Sequence, residues 1–271
     1  MIYKKKALII DGFKPETLGK KYSTPLYFYS LKTIKKNIIN FKKNFKKIDP
    51  LICFAVKANS NKIILQKIGK LGLGADVVSI GELMKALKSG IKPNKIVFSG
   101  VGKTSKEINF AIEKNILLIN AESKSEILEI EKIAKSKKRK VSIGIRLNPN
   151  IDAKTLSQIS TGKKENKFGV SEKIFLDLVD YSKNSKFLNL KCLSVHIGSQ
   201  ILDHKPYEKM LKILQKVIYK KKFKFEFIDL GGGMGIDYER NNKVLNFKKY
   251  ASSIKKFLKK NNCKIIFEPG R

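Results

Sequence analysis

The sequence has no tryptophan, only two histidines and three cysteines, and 23 acidic residues against 58 basic ones. Each shortage excludes something. The cysteines, Cys53, Cys192 and Cys263, are odd in number and lack metal-ligand spacing, so neither a disulfide framework nor a zinc finger is expected, and no metal. Reduced thiols in a cytoplasmic protein are the expected state. No apolar run approaches the roughly 18 residues of a membrane span. Residues 7–10, after three lysines, are too short for a signal-peptide core. Arginine is scarce, limited to Arg139, Arg146, Arg240 and Arg271, although the formal charge is +35. The lysines are spread along the chain, without the arginine forks and interleaved aromatics that grip nucleic acid. The expectation is non-specific attraction of anions and no specific nucleic-acid partner.

What the chain does have is apolar residues, at 42% enough for a core and too many for a disordered basic tail. Short β-branched runs recur at 51–56, 75–78, 95–98, 116–119, 141–147, 192–197, 225–230 and 264–267. Between them lie helical spacings such as Ile64, Ile68 and Leu71. Capping-box pairs, Ser79 with Glu82, Thr104 with Glu107 and Ser123 with Glu126, mark helix starts just after strands. Strands alternating with helices in this number predict a closed (β/α)8 TIM barrel, with an open doubly wound sheet as the alternative because strand count does not establish closure. Residues 24–29 read as an extended strand, since Pro25 pushes Thr24 away from helical geometry, and 31–45 as an amphipathic helix. Residues 1–24 form an N-terminal extension and 25–271 the barrel. Residues 1–20 are expected to pair with something outside the barrel for which the sequence offers no partner. Because the sequence stops directly after the eighth run, the expectation is a fragment of a longer protein.

Chemistry in a parallel barrel collects at the C-terminal strand ends. Here those ends carry Lys57 in VKAN, His196 in HIGSQ, the run Gly231-Gly232-Gly233-Met234-Gly235, and Glu268 in EPGR. Each alone has a plain reading: one more surface lysine, a hydrogen-bonded core histidine, a tight turn, a surface charge. Their joint placement favours a site for an anionic cofactor. Gly102-Lys103-Thr104 resembles the tail of a P-loop, but Val97 stands where its first glycine belongs. Ile236 likewise stands where a dinucleotide fingerprint needs glycine. A glycine loop after strand seven suits a phosphate cradle. A lysine amine, a phosphate cradle and a carboxylate able to keep a pyridine ring protonated together suggest pyridoxal 5'-phosphate.

The segments FAVKANSN, GADVVSIGE, IRLNPNIDAKT with ISTGKKENKFG, SVHIGSQI, IDLGGGMGI and FEPGR resemble the diaminopimelate decarboxylases, a branch of the fold-type III pyridoxal-phosphate enzymes that also holds ornithine/arginine decarboxylases and alanine racemase. The resemblance runs from Thr24 to Arg271. It implies that Lys57 is the Schiff-base lysine, that His196 stacks on the cofactor ring and that Ser199 bonds the phosphate. Gly231, Gly232 and Gly233 would add phosphate-binding amides, joined by Gly270 and Arg271. Glu268 would pair with the pyridine nitrogen, Arg271 would also face the amino-acid substrate, and Asp76 and Arg146 would support the lysine and the ring. The implied reaction is decarboxylation of meso-2,6-diaminopimelate to L-lysine by a homodimer. In the family a C-terminal β-domain lends an acidic-cysteine loop and a tyrosine to the neighbouring site; neither is in this sequence. Leu156-Ser157-Gln158 also replaces a common His-Pro-Tyr. The rival readings are another amino-acid decarboxylase of the same fold type and a non-enzymatic single-barrel carrier of the cofactor. Glu268 speaks against a racemase, where arginine faces the ring nitrogen.

Overall fold

The computed structural model describes residues 2–4, 7–151, 168–239 and 244–270. Arg271, Leu156-Ser157-Gln158 and nearly all of the ISTGKKENKFG segment lie outside them. The chain divides into two compact units, Met1–Asn44 and Phe45–Arg271.

In the first unit, β1 (Ile2–Lys4) and β2 (Ala7–Ile9) pair antiparallel with Ile2 opposite Ile9. The two strands of the N-terminal segment thus pair with each other. Helix α1 (Pro15–Tyr22) starts on a proline, which needs no amide partner there, and carries a Glu16–Lys20 ion pair of 3.0 Å. Residues 24–29 do not form the expected strand. Pro25 withholds a ladder donor, and Tyr27 is 85% exposed, so no face is buried to reward pairing. Ser30 then opens α2 (Leu31–Phe45) by accepting the Thr33 amide at 2.9 Å.

The second unit is the expected barrel. Strands β3 (Leu51–Ala55), β4 (Gly74–Val77), β5 (Ile96–Phe98), β6 (Leu118–Ala121), β7 (Val141–Arg146), β8 (Leu188–Ser194), β9 (Phe227–Asp229) and β10 (Lys264–Phe267) are all parallel. Ile266 of β10 pairs with Leu51 of β3 and closes the ring, which rules out the open sheet. Helices α3 (Lys62–Lys70), α4 (Ile80–Lys88), α5 (Ser105–Glu113), α6 (Lys124–Ser136), α7 (Glu172–Asn184), α8 (Lys205–Lys221) and α9 (Phe247–Leu258) connect the strands. Strand β6 begins two residues later than expected, because Asn115 turns the chain at φ 50° and Ile116 packs inward before the ladder starts.

The capping residues do more than end helices. Thr104 and Glu107 form the reciprocal box. Glu82 and Glu126 instead reach one residue further back, accepting the Val78 and Glu122 amides at 2.9 and 2.8 Å. Both carboxylates thus fix the chain just where it leaves a strand, at the barrel mouth.

Inside the barrel, Cys53, Val97, Leu118, Cys192, Phe227 and Ile266 pack as one apolar layer. Side chains two positions on share the same face of a strand. Stepping by two gives Ala55, Ser99, Asn120, Ser194, Asp229 and Glu268, a second layer that is mostly polar.

Candidate active site

Lys57 stands on the 3-10 turn Val56–Ala58 that ends β3, with 59% of its side chain exposed. Its Nζ lies 3.7 Å from Oδ2 of Asp76, which comes from the adjacent β4 and is 1% exposed. Neither Asp76 oxygen has a hydrogen-bond partner among the described residues. Burial raises the Asp76 carboxyl above its ordinary range, opposed chiefly by the charge of Lys57. The EPG segment is drawn against the same turn: Ala55 donates its amide to Pro269 O at 3.1 Å, and a Cβ on Gly270 would come within 3.1 Å of Ala58 Cβ.

Glu268 accepts from Ser99 Oγ at 3.4 Å, and Ser99 accepts from Asn120 Nδ2 at 3.4 Å. Asn120 also donates to Asp229 Oδ2 at 3.0 Å. Burial pushes the Glu268 carboxyl well up, reinforced by the charges of Asp229 and Asp76 and a hydrogen bond with Asp229. Glu268 is the proton-bearing partner of that carboxyl pair. Asn120 Oδ1 faces Gly144, where a Cβ would come within 1.9 Å of it, so only glycine fits beside this side chain.

Half-buried His196, after β8, meets the glycine loop directly. Gly232 donates its amide to His196 Nδ1 at 3.2 Å, so that nitrogen is the acceptor and any ring proton sits on Nε2. Burial, then the charges of Arg146 and Lys57, lower its pKa to about 3, so the imidazole is neutral at physiological pH. Gly231 donates to Asp229 Oδ1 at 2.9 Å. Of the three amides expected to hold phosphate, two are therefore engaged by the protein, because a carboxylate and an imidazole stand within reach. The Gly233 amide has no acceptor among the described residues. Gly233 sits at φ +84°, and a Cβ there would come within 2.0 Å of Gly198 O, which places it against the peptide that joins Gly198 to Ser199.

Arg146, at the end of β7, is held by Glu122 through contacts of 3.1 and 3.0 Å and lies 4.9 Å from the centroid of the Phe168 ring. Glu122 is itself fixed by the Gly100 and Gly169 amides at 2.9 and 3.2 Å. The structure thus gathers Lys57, Asp76, Arg146, His196, Ser199, Gly231, Gly232, Gly233, Glu268 and Gly270 at the C-terminal strand ends and the loops that follow them. Arg271 lies outside the described residues. Sequence reasoning missed Asp229, Asn120, Ser99, Ser194 and Glu122. The signal that could have found the first four is a polar residue two positions beyond an inward-facing apolar one. Cys53 and Cys192 belong to the apolar layer, and burial holds their thiols well above the ordinary range, so they are protonated and unreactive. No group of three or more His, Cys, Asp or Glu suited to a metal occurs among the described residues. None of their helices is long and apolar enough to cross a membrane.

These donors fit pyridoxal 5'-phosphate. The amine at Lys57 can meet an aldehyde, the carboxyl of Glu268 a ring nitrogen, and the neutral imidazole a ring face. The buried Asp76 carboxyl, which has the Lys57 charge but no hydrogen-bond partner among the described residues, and the Gly233 amide beside the Gly198-Ser199 peptide are polar groups suited to such a ligand.

Residues 31–271 match the family model described as "Pyridoxal-dependent decarboxylase, pyridoxal binding domain". The diaminopimelate decarboxylase of Helicobacter pylori strain J99 is 48% identical over 263 residues, covering 96% of this chain and 64% of the relative. That of Campylobacter jejuni is 44% identical, covering 94% of this chain and 64% of the relative. The chain thus spans less than two thirds of these relatives. The H. pylori diaminopimelate decarboxylase crystal structure with L-lysine is similar at a TM-score of 0.88 and 46% identity, covering 95% of this chain and 66% of that one. The corresponding structure from M. jannaschii, also with L-lysine, gives 0.91 at 34% identity, covering 98% and 65%. With so much of its length matched to that family model, the chain belongs to the pyridoxal-dependent decarboxylases, residues 31–271 corresponding to their pyridoxal-binding domain.

Proposed function

We propose that the full-length protein decarboxylates meso-2,6-diaminopimelate to L-lysine and CO2. The observation that carries the reading is the pairing of Lys57 Nζ with buried Asp76 at 3.7 Å, at the same barrel mouth as Glu268. The names of the relatives supply the substrate. When bound, pyridoxal 5'-phosphate supplies an aldehyde for an amino group and a ring that takes up the electron pair left on the α-carbon.

The chain's own residues do the rest. Lys57 would hold the cofactor through its amine. Asp76 keeps that amine in position and accepts charge beside it. Glu268 holds a proton at the ring nitrogen, which strengthens the electron sink. His196, held as a neutral imidazole with its Nδ1 accepting from the Gly232 amide, would stack on the ring without adding a positive charge. The Gly231–Gly233 loop, Ser199 and Gly270 would hold the phosphate, and Arg271 would bind phosphate and substrate. Arg146, fixed by Glu122, supports the ring.

In this reading residues 1–24 belong with the β-domain of the full-length protein and residues 25–271 with the cofactor-binding barrel. The protein acts in the cytoplasm as a homodimer. The test is CO2 release by the full-length protein from meso-diaminopimelate, L-ornithine and L-arginine in turn. Release from diaminopimelate alone is expected. Release from ornithine or arginine in its place makes the protein a different decarboxylase, and failure to bind pyridoxal 5'-phosphate sinks the reading entirely.

A further inference from the structure

Asp229 is fully buried at the end of β9, in the polar layer of the barrel. Three donors converge on it: Asn120 Nδ2 at 3.0 Å, Ser194 Oγ at 3.1 Å and the Gly231 amide at 2.9 Å. That set satisfies an ionised carboxylate, since all three give protons and none accepts one, and it opposes the burial that raises the Asp229 carboxyl. Besides the hydrogen bond between the two carboxyls, it is tied to Glu268 by two further routes. One route runs through Asn120 and Ser99 to Glu268 Oε1. The other runs along the backbone, where Glu268 donates its amide to Gly231 O at 2.9 Å. A buried charge is costly, and an apolar residue continuing the layer below would fill the position at lower cost. Stability alone gives no reason for an acid here.

We propose that Asp229 is a positioning residue acting through Glu268: its fixed negative charge keeps one more proton on the unit formed by Glu268 and the ring nitrogen of bound pyridoxal 5'-phosphate. The inference rests on the cofactor reading above. The low polarity beneath the mouth leaves the Asp229 charge weakly screened, and a nearby anion favours a protonated, cationic ring. The charges facing Glu268 are then Asp229 and Asp76 on one side of the balance and Lys57 on the other. Asn120, Ser194 and Ser99 hold the geometry without changing that balance.

The test uses the full-length protein loaded with pyridoxal 5'-phosphate carrying 15N in the ring. In the wild type the 15N resonance is expected in the protonated, pyridinium range. Asp229→Asn should move it toward the unprotonated pyridine position. Ser194→Ala, which removes a hydrogen bond but not the charge, should leave it in place. An unmoved resonance in Asp229→Asn, or an equal shift in Ser194→Ala, overturns the proposal. Should Asp229→Asn fail to fold, 13C-aspartate labelling of the wild type decides: an ionised Asp229 at neutral pH supports the role and a protonated one overturns it. Wild-type protein that binds no pyridoxal 5'-phosphate refutes the functional reading rather than this role.

Discussion

The two layers inside the barrel are built by the same strands, two residues apart, yet they have opposite chemistry. Leu118, Cys192, Phe227 and Ile266 fill the lower layer, and Asn120, Ser194, Asp229 and Glu268 stand above them. The lower layer is a seal. Its side chains are nearly all 0% exposed, and its two thiols are held protonated by burial first and then by the charges of Asp229 and Glu268. The upper layer is a connected polar sheet, in which hydrogen bonds run from Ser194 through Asp229 and Asn120 to Ser99 and Glu268. The seal makes the polar layer possible. A floor without water lets charges interact strongly and holds each donor to one acceptor. Stability therefore concentrates below, and the capacity to hold protons at chosen atoms concentrates above.

The sharpest way to separate the two is to change a residue that belongs to neither. Lys57→Ala should abolish the long-wavelength absorbance band of the cofactor attached through that lysine, measured on the full-length protein. Because most of the Lys57 side chain is exposed, the variant's unfolding free energy should change by less than about 1 kcal/mol. Retention of the band would show that another amine holds the cofactor. The converse change is Phe227→Ala in the seal. It should cost about 3–5 kcal/mol in urea unfolding, because a buried aromatic leaves a cavity that the ring of strands cannot close. The band should persist as long as the protein is folded. A loss below about 1 kcal/mol would mean that the lower layer is not tightly packed.

The mouth also has a pH signature. The folded chain keeps His196 neutral down to about 3, whereas an ordinary histidine takes a proton near 6.5. The unfolded chain thus binds a proton the folded one refuses, and stability present above that ordinary value is lost as pH falls toward about 3. Asp76 and Glu268 work in the other direction. Their raised folded values give stability at low pH that is lost as pH rises through them. The wild-type profile mixes both, so the informative quantity is a difference. His196→Gln should remove about 2 kcal/mol of the loss on going from near neutral pH to mildly acidic pH. An unchanged slope would mean that His196 is not held neutral.

The contrast between the layers was only half legible in the sequence. The eight apolar runs, their order and the residues ending them were readable, because β-branched clusters and glycine turns are local signals. So were Lys57, His196, the glycine loop and Glu268, which interrupt apolar runs with an unusual residue type. Asp229 was not. In FIDLGGG it is one acid beside a conspicuous glycine cluster, and its importance comes from Asn120 and Ser194, which arrive from strands β6 and β8, far apart in the chain. Asn120 was hidden further because β6 starts two residues later than the expected run, which leaves Asn120 beyond that run's end. The N-terminal hairpin was missed for the opposite reason: β1 and β2 are three residues each, too short for alternation to register.

The smallest effect tests how the layers communicate. Ser99 belongs to the polar sheet by its two hydrogen bonds, both at 3.4 Å and hence long, one accepted from Asn120 and one donated to Glu268. Ser99→Ala removes both bonds but no charge, and Asn120 keeps its 3.0 Å bond to Asp229. The expected cost is about 1 kcal/mol of stability, the ordinary net worth of such contacts. If Asp229 acts on Glu268 by charge, the 15N resonance of the bound cofactor should not move in this variant. If the serine bridge carries the coupling, Ser99→Ala should shift the resonance as far as Asp229→Asn does. Ser99→Ala thus separates an electrostatic link between the carboxyls from one carried by hydrogen bonds.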